Sequence, residues 1–309
     1  MERKNIIVVG STNMDMVVKT SHIPAHGETV LGGSFFMNPG GKGANQAVAV
    51  ARLGGNAIFV SKVGNDVFGK QSFQLFDEEG INTKYIMSDD ELPSGVALIT
   101  VDESGENSIV VAPGANANLL PQDIEQAITE SQHAGVILLQ LEIPIRTVQH
   151  AVQKASANGI TVIVNPAPAA ALSQELLSHI DIITPNCTEA SWLSDIDVTD
   201  METAKKAALE IKEQGVKNVV ITMGPLGALV LADEVFTVVP ATKVQAIDTT
   251  AAGDVFNGAL AVALSEKKDL VNAVAFACEA AAISVTKLGA QSSIPYRNEV
   301  IIGKLALDT

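Results

Sequence analysis

Four short segments carry residue types at spacings suited to chemistry. In Asp248-Thr249-Thr250-Ala251-Ala252-Gly253-Asp254-Val255-Phe256-Asn257-Gly258, small residues precede a helix whose first turn carries Asp254. Backbone amides at such a helix start form an anion hole, which suits a phosphoryl group in transfer. A carboxylate there can accept a proton from an attacking hydroxyl, or it can simply complement the helix dipole. In Gly40-Gly41-Lys42-Gly43-Ala44-Asn45-Gln46-Ala47, three glycines and one lysine open another helix. Gly43, not Ser or Thr, follows Gly41-Lys42, so this is not a Walker A loop. A glycine-rich turn with a capped helix fits, and a polyol-hydroxyl site on Lys42 and Asn45 fits at least as well. Pro185-Asn186-Cys187-Thr188-Glu189 follows a predicted strand, at the sheet edge where ligands gather in open α/β folds. Asn186 and Glu189 can orient a hydrated Mg²⁺, and Asn186 or Thr188 can cap a helix; the two roles are compatible. Thr222-Met223-Gly224-Pro225-Leu226-Gly227 also follows a strand, and reads as a phosphate-wrapping loop or as a hairpin turn.

Two other features carry less. His22 and His26 have Pro24 between them, which breaks a helical metal pair. Asn165-Pro166-Ala167-Pro168-Ala169 reads as a rigid loop whose contribution to a site is open.

The elements that must position these segments alternate. Strands are expected at Ile6–Val9, Ala57–Val60, Val136–Leu139, Thr161–Val164, Asp181–Thr184, Val219–Thr222 and Leu229–Leu231. Their Val/Ile/Leu density suits strands buried on both faces of a parallel sheet. Helices are expected at Ala44–Leu53, Val67–Glu79, Leu120–Ser131, Ile145–Ala157, Asp200–Gln214, Gly253–Ser265 and Asp269–Lys287, with Asp269 as N-cap of the last. This β-α order predicts one doubly wound α/β domain over residues 1–309, with a mostly parallel sheet between helix layers. Asp15–Gly40 and Gly95–Pro113 interrupt the rhythm. The second reads as a hairpin of Val96–Val101 and Ser108–Val111, and both are expected to form a small β-lid from about residues 13–40 and 95–113.

Composition narrows the function. The 309 residues are 47% hydrophobic and 18% charged, which suits a folded chain with a sizeable core. A net charge of −15 argues against nucleic acid and anionic membranes as partners. A polyanion site must then supply its own local positive potential. Cys187 and Cys278 form no CxxC pair, and Ile6–Val9 is too short for a signal segment. The expected location is the cytoplasm.

Taken in order, these segments resemble the ribokinase family of sugar kinases, also called PfkB, from Gly10 to Pro295. Gly40–Ala47 and Asp248–Gly258 look like its two signatures. Gly10-Ser11-Thr12-Asn13-Met14-Asp15, Gly41–Gln46, Gln140-Leu141-Glu142, Asn165-Pro166-Ala167-Pro168 and Gly289-Ala290-Gln291 are similar to its ribokinase branch. The resemblance implies an ATP-dependent kinase that phosphorylates D-ribose at O5. It implies that Asn13, Asp15, Gly41, Lys42, Asn45 and Glu142 hold sugar hydroxyls, and that Asp254 is the base. The amides of Ala251, Ala252 and Gly253 would form the anion hole. Asn186, Thr222, Gly224, Gly227 and Gly253 would contact ATP, with Cys278 near the adenine and Asn186 and Glu189 near Mg²⁺. A K⁺ activator would sit by Asp248, Thr250, Ser284, Lys287, Gly289 and Ser293, several acting through backbone carbonyls. A homodimer through the lid is also implied, with Val30, Leu31 and Phe35 as contacts.

The chain departs from the family at Cys278-Glu279 and at Pro225-Leu226, both expected beside the nucleotide. Rival expectations are a deoxyribokinase or another pentose or nucleoside kinase. A non-catalytic sugar-binding regulator fits less well, because Asp254 and the anion hole are present. A dinucleotide oxidoreductase is weaker still, since Gly10-Ser11-Thr12-Asn13 is not GxGxxG.

Overall fold

The computed structural model describes residues 5–131 and 134–300. Its elements are β1 (Asn5–Val9), β2 (Asn13–Lys19), β3 (Ser34–Gly40), α1 (Lys42–Arg52), β4 (Asn56–Gly64), α2 (Val67–Glu78), β5 (Asn82–Asp89), β6 (Gly95–Val101) and β7 (Asn107–Ala112). There follow α3 (Pro121–Glu130), β8 (Ala134–Leu139), α4 (Ile145–Ala157), β9 (Thr161–Val164), α5 (Gln174–Leu177), β10 (Ile182–Ile183), α6 (Cys187–Ser194) and α7 (Met201–Glu213). The chain continues with β11 (Asn218–Thr222), β12 (Ala228–Ala232), β13 (Val235–Val239), α8 (Ala252–Ser265) and α9 (Leu270–Ser284).

Nine strands form the main sheet in the order β13-β12-β11-β10-β9-β8-β1-β4-β5. The pairs from β11 through to β5 are parallel, and β12 and β13 join as an antiparallel edge. Helices cover both faces, as the unbroken apolar runs of the central strands require. Ile6 and Val8 of β1 face one core layer with α1, α8 and α9, while Ile7 and Val9 face the other with α3, α4 and α7.

Two strands lie beyond the expected set. β5 (NTKYIMSD) and β13 (VFTVV) carry partly exposed positions at the two edges of the sheet, so they lack the all-apolar signature of the central strands. The expected strand at Leu229–Leu231 is present but antiparallel, because the Gly224–Leu226 turn folds β12 straight back on β11.

β2, β3, β6 and β7 form a separate four-stranded sheet, in the order β3-β2-β6-β7. The Val96–Val111 hairpin is present as β6 and β7. Phe35, Leu98, Ile109 and Val110 of this sheet are exposed.

The packing of α1 on α8 matters most for the site. A Cβ on Gly258 would lie 2.5 Å from the Ala49 Cβ, so the two helices cross almost backbone to backbone. One turn earlier on each helix, the same faces carry Asp254 and the pair Asn45 and Gln46. The small residue at the crossing therefore brings two segments about 200 positions apart into hydrogen-bond range.

Candidate active site

The site forms where β1, β8, β9, β10 and β11 end, the edge at which open α/β sheets collect ligands. Asp254 is the third residue of α8 and 6% exposed. Its Oδ2 accepts from Asn45 Nδ2 at 2.9 Å and its Oδ1 from Gln46 Nε2 at 3.0 Å. Burial pushes its pKa upward, against the pull of Lys42 and of these two amide donors. Burial makes this carboxylate a stronger base than usual, while Lys42 and the amide donors favour the anion that can accept a proton.

Ahead of it, Ala251 caps α8 at φ +60°, a left-handed conformation that costs a non-glycine residue about 1 kcal/mol. That turn aims the first amides of α8 outward, where they lack partners within the helix. The Ala252 amide reaches back to the Thr249 carbonyl at 3.2 Å, a long turn bond. Ala251, Ala252 and Gly253 all line the polar cavity that also holds Asp254. The expected anion hole is thus an exposed helix start facing a cavity, with one of its three amides part-engaged.

The expected sugar residues gather on the other side of Asp254. Gly41 adopts φ +90°, and a Cβ there would lie 2.7 Å from the Asn13 amide nitrogen, so glycine seats the α1 loop directly on the start of β2. Glu142 Oε2 accepts from Ser11 Oγ at 2.6 Å and from the Lys42 amide at 3.1 Å. Asn13 Oδ1 accepts from Asn116 Nδ2 at 2.8 Å. Asn45 Oδ1 is buried with no hydrogen-bond partner among the described residues, an acceptor that fits a ligand hydroxyl.

Charge is crowded here. Burial first, then the charges of Glu142 and Asp254, push Asp15 from 3.8 to about 6 against the pull of Lys42. Burial opposes the Lys42 cation, but Asp254, Glu142, Glu189 and Asp15 outweigh it and raise its pKa. One lysine therefore serves four carboxylates.

Beyond Asp254 lie two joined cavities. The polar one encloses about 170 Å³ and is lined by Lys42, Asn186, Glu189, Thr222, Gly253 and Asp254, among others. The larger encloses about 550 Å³ and is mostly apolar, with Gly224, Gly227, Val244, Phe256, Cys278 and Ala282 in its walls. They share Thr222, Thr249, Ala252 and Gly253. An apolar cleft opening onto a polar pocket at a helix start matches a nucleotide, base in the first and phosphates in the second.

Asn186 caps α6, and its Oδ1 accepts from the Glu189 amide at 2.8 Å while Glu189 Oε2 accepts from the Asn186 amide at 2.9 Å. The capping role and the cavity position hold together. No group of three or more acidic, His or Cys side chains able to cage a metal occurs among the described residues. A divalent ion carried by phosphates and water needs no such cage, and Asn186 and Glu189 fit that case.

The positions expected around a monovalent cation lie on the Asp248–Thr250 turn and on the segment that runs from the end of α9 at Ser284 to Ser293. Asp248 accepts from the Thr250 amide and hydroxyl at 2.9 and 2.6 Å, and from the Gly289 amide at 2.8 Å. Those bonds, acting against burial, hold its pKa low. Ser284 and Ser293 donate to carbonyls of their own turns, and Lys287 reaches Glu299 at 2.6 Å. The Lys287 ammonium cannot ligate a cation, so oxygen atoms, the backbone carbonyls and the Asp248 carboxylate among them, are what this loop pair can offer a K⁺ ion.

Gln46, Ser11, Thr184 and Asn257 carried no separate expectation at the site, and the contribution of the Asn165 loop was open. Gln46 holds Asp254, Ser11 holds Glu142, and Asn165, Thr184 and Asn257 line the polar cavity. Asn257 Oδ1 accepts from Thr184 Oγ1 at 2.6 Å, and its Nδ2 donates to the Gly253 carbonyl at 2.8 Å, which ties the anion hole to the end of β10. Gln46 stands inside the Gly40–Ala47 segment, but nothing in its spacing signals a partner 208 residues away. No helix among the described residues is long and apolar enough to cross a membrane.

Comparison with known proteins agrees with this geometry. The profile described as pfkB family carbohydrate kinase matches residues 3–297. A ribokinase of Haemophilus influenzae is 46% identical over 299 residues, 97% of this chain and 98% of that protein. A deoxyribokinase of Salmonella typhi is 38% identical over 292 residues, 94% of this chain and 95% of the relative. The structure of an Arabidopsis thaliana ribokinase complexed with ribose and ATP superposes with a TM-score of 0.91 at 32% identity, covering 98% of this chain and 99% of that one. With its fold, its two cavities and its buried carboxylate, this chain belongs to the pfkB family of carbohydrate kinases.

Proposed function

We propose that this chain transfers the γ-phosphoryl group of ATP to O5 of D-ribose, giving ribose 5-phosphate and ADP. The observation that carries the reading is the position of Asp254. It lies at the start of α8, between a polyol-type cluster of Asn13, Asp15, Lys42, Asn45 and Glu142 and a base-plus-phosphate pair of cavities. Asp254 takes the proton of the attacking hydroxyl, and the outward amides at Ala251–Gly253 meet the charge developing on the phosphoryl oxygens. Lys42 sits between the carboxylates and the polar cavity, so it neutralises charge on both sides of the transfer. A sugar hydroxyl is a weak acid and the transition state is loose, so positioning carries most of the rate.

Asn186 and Glu189 would orient a phosphate-borne Mg²⁺, which would supply charge neutralisation. Oxygen atoms of the Asp248–Thr250 turn and of the segment from Ser284 to Ser293 would hold a K⁺ ion, which would support the charge of the anion hole. The four-stranded sheet acts as a lid over the sugar, and exposed Phe35 on β3, with exposed Leu31 and neighbouring Val30 in the loop before it, supports a homodimer through that region. The reading places the enzyme in the cytoplasm.

Ribose is favoured over deoxyribose because Asn13 and Asp15 suit a vicinal diol, and a site built for a hydroxyl rejects the analogue without it. A coupled ADP-release assay across pentoses, hexoses and nucleosides tests this. Ribose should give the highest kcat/KM. A higher value for 2-deoxyribose or a nucleoside would overturn the substrate assignment.

A further inference from the structure

The hydrogen bonds that hold Asp254 run deeper into the protein than substrate contact requires, and they have a direction. Gln46 Nε2 donates to Asp254 Oδ1 at 3.0 Å and to Asn165 Oδ1 at 3.1 Å. Gln46 Oε1 accepts from Gln140 Nε2 at 2.5 Å. Both glutamines are 0% exposed, and neither lines the two cavities. Gln140 Oε1 ends the chain, buried without a partner among the described residues. Gly10 makes room for that oxygen, since a Cβ there would lie 2.0 Å from it.

A carboxylate only accepts hydrogen bonds, whereas an amide has a donor end and an acceptor end. Asp254 as an anion therefore demands the nitrogen of Gln46. That turns the Gln46 oxygen toward Gln140, which must answer with its own nitrogen. Asn165 enforces the same sense from the side, because its Nδ2 is spent on the Thr184 carbonyl at 3.3 Å and leaves its oxygen for Gln46. The orphaned Gln140 oxygen is the consequence. A buried acceptor without a partner is unfavourable, and the fold tolerates it to keep this chain of donors pointing at Asp254.

The charged groups facing Asp254 show why such donors matter. Lys42 on α1 favours the anion, whereas Asp15 on β2, Glu142 after β8 and Glu189 on α6 oppose it. With three like charges against one lysine, neutral amides supply the rest of the stabilisation.

We propose that Gln46 is a positioning residue that fixes the rotamer and the anionic form of Asp254, and that Gln140 acts through Gln46. This inference rests on the reading of Asp254 as the base. Gln46→Met, Gln140→Met and the double variant test it, because methionine keeps much of the shape and removes the polar ends. The readouts are kcat, the KM for ribose, the pH dependence of kcat/KM and the melting temperature, with Asp254→Asn as reference. Each single variant should lose kcat by about tenfold or more while KM moves less than about threefold. The acid limb of the profile should move to higher pH, because a lost donor makes the Asp254 anion harder to form. The double variant should be no worse than Gln46→Met alone, since Gln140 has no separate route to the carboxylate.

If Asp254→Asn is inactive while both glutamine variants keep wild-type kcat and acid limb, the inference falls and the base reading stands. Additive losses with an unmoved acid limb mean a packing role only, and also overturn it. If Asp254→Asn keeps turnover, the base reading fails first and takes the inference with it. Should Gln46→Met fail to fold, Gln140→Met decides by the same kcat and acid-limb readouts.

Discussion

Asp15→Asn should make the protein more stable and a worse kinase, and the gain should depend on pH. The pKa of Asp15 stands at about 6 against an ordinary 3.8, from burial and from the charges of Glu142 and Asp254. Because the folded value lies above the unfolded one, the charged side chain destabilises the fold above pH 6. That penalty fades as pH falls from 6 toward 3.8. At about 1.4 kcal/mol per tenfold in proton affinity, the gap is worth about 3 kcal/mol at pH 8. It is worth about half as much at pH 5, where the folded carboxyl is mostly protonated already. With an unfolding entropy of about 2.1 cal/mol/K per residue over 309 residues, the gain is about 5 °C at pH 8 and about half that at pH 5. Asparagine has the same shape, so it keeps the contact of this side chain with Gly40. Differential scanning calorimetry without sugar, at both pH values, reads the effect. Calorimetric titration of ribose should show affinity reduced about tenfold to a hundredfold, the usual worth of a hydrogen bond to a charged group. A variant less stable than wild type at pH 8, or a gain that ignores pH, would refute the electrostatic account of this cluster.

Other outcomes follow from the geometry. Gly258→Ala should push α8 away from α1 at the Ala49 contact, with a loss of stability of about 1–3 kcal/mol and a kcat that falls while the protein remains folded; melting curves alongside kinetics check this. Exchange of K⁺ for Na⁺ at constant ionic strength should lower activity, and no cation effect would count against the Asp248–Thr250 and Ser284–Ser293 site. Phe35→Glu on the exposed face of the small sheet should shift light scattering from dimer to monomer at micromolar concentration, and a monomeric wild type would remove the lid contact.

Much of this arrangement was legible in the residues. Small residues ahead of Asp254, and glycines around Lys42, mark two helix starts from local chemistry alone. The all-apolar strands around β1 follow from the same kind of reading. What local patterns do not contain is pairing. That Asn45 and Gln46 grip Asp254 depends on Gly258 meeting Ala49, a fact of how two distant helices cross. β5 and β13 escaped notice because edge strands mix exposed with buried positions. The capping box of Asn186 and Glu189 shows the reverse case, in which a residue pair suited to a cation is also the start of α6. Ser284, Lys287 and Ser293 were expected around a cation, yet the Lys287 side chain reaches Glu299 and the two serine hydroxyls donate to local carbonyls, contacts that local spacing does not announce.

The most direct test is turnover by Asp254→Asn with ribose and MgATP, measured beside ribose affinity in the same preparation. The proposed mechanism predicts ribose binding within a few-fold of wild type and kcat lower by about a hundredfold to ten-thousandfold. A near-normal kcat in a folded, ribose-binding variant would contradict it.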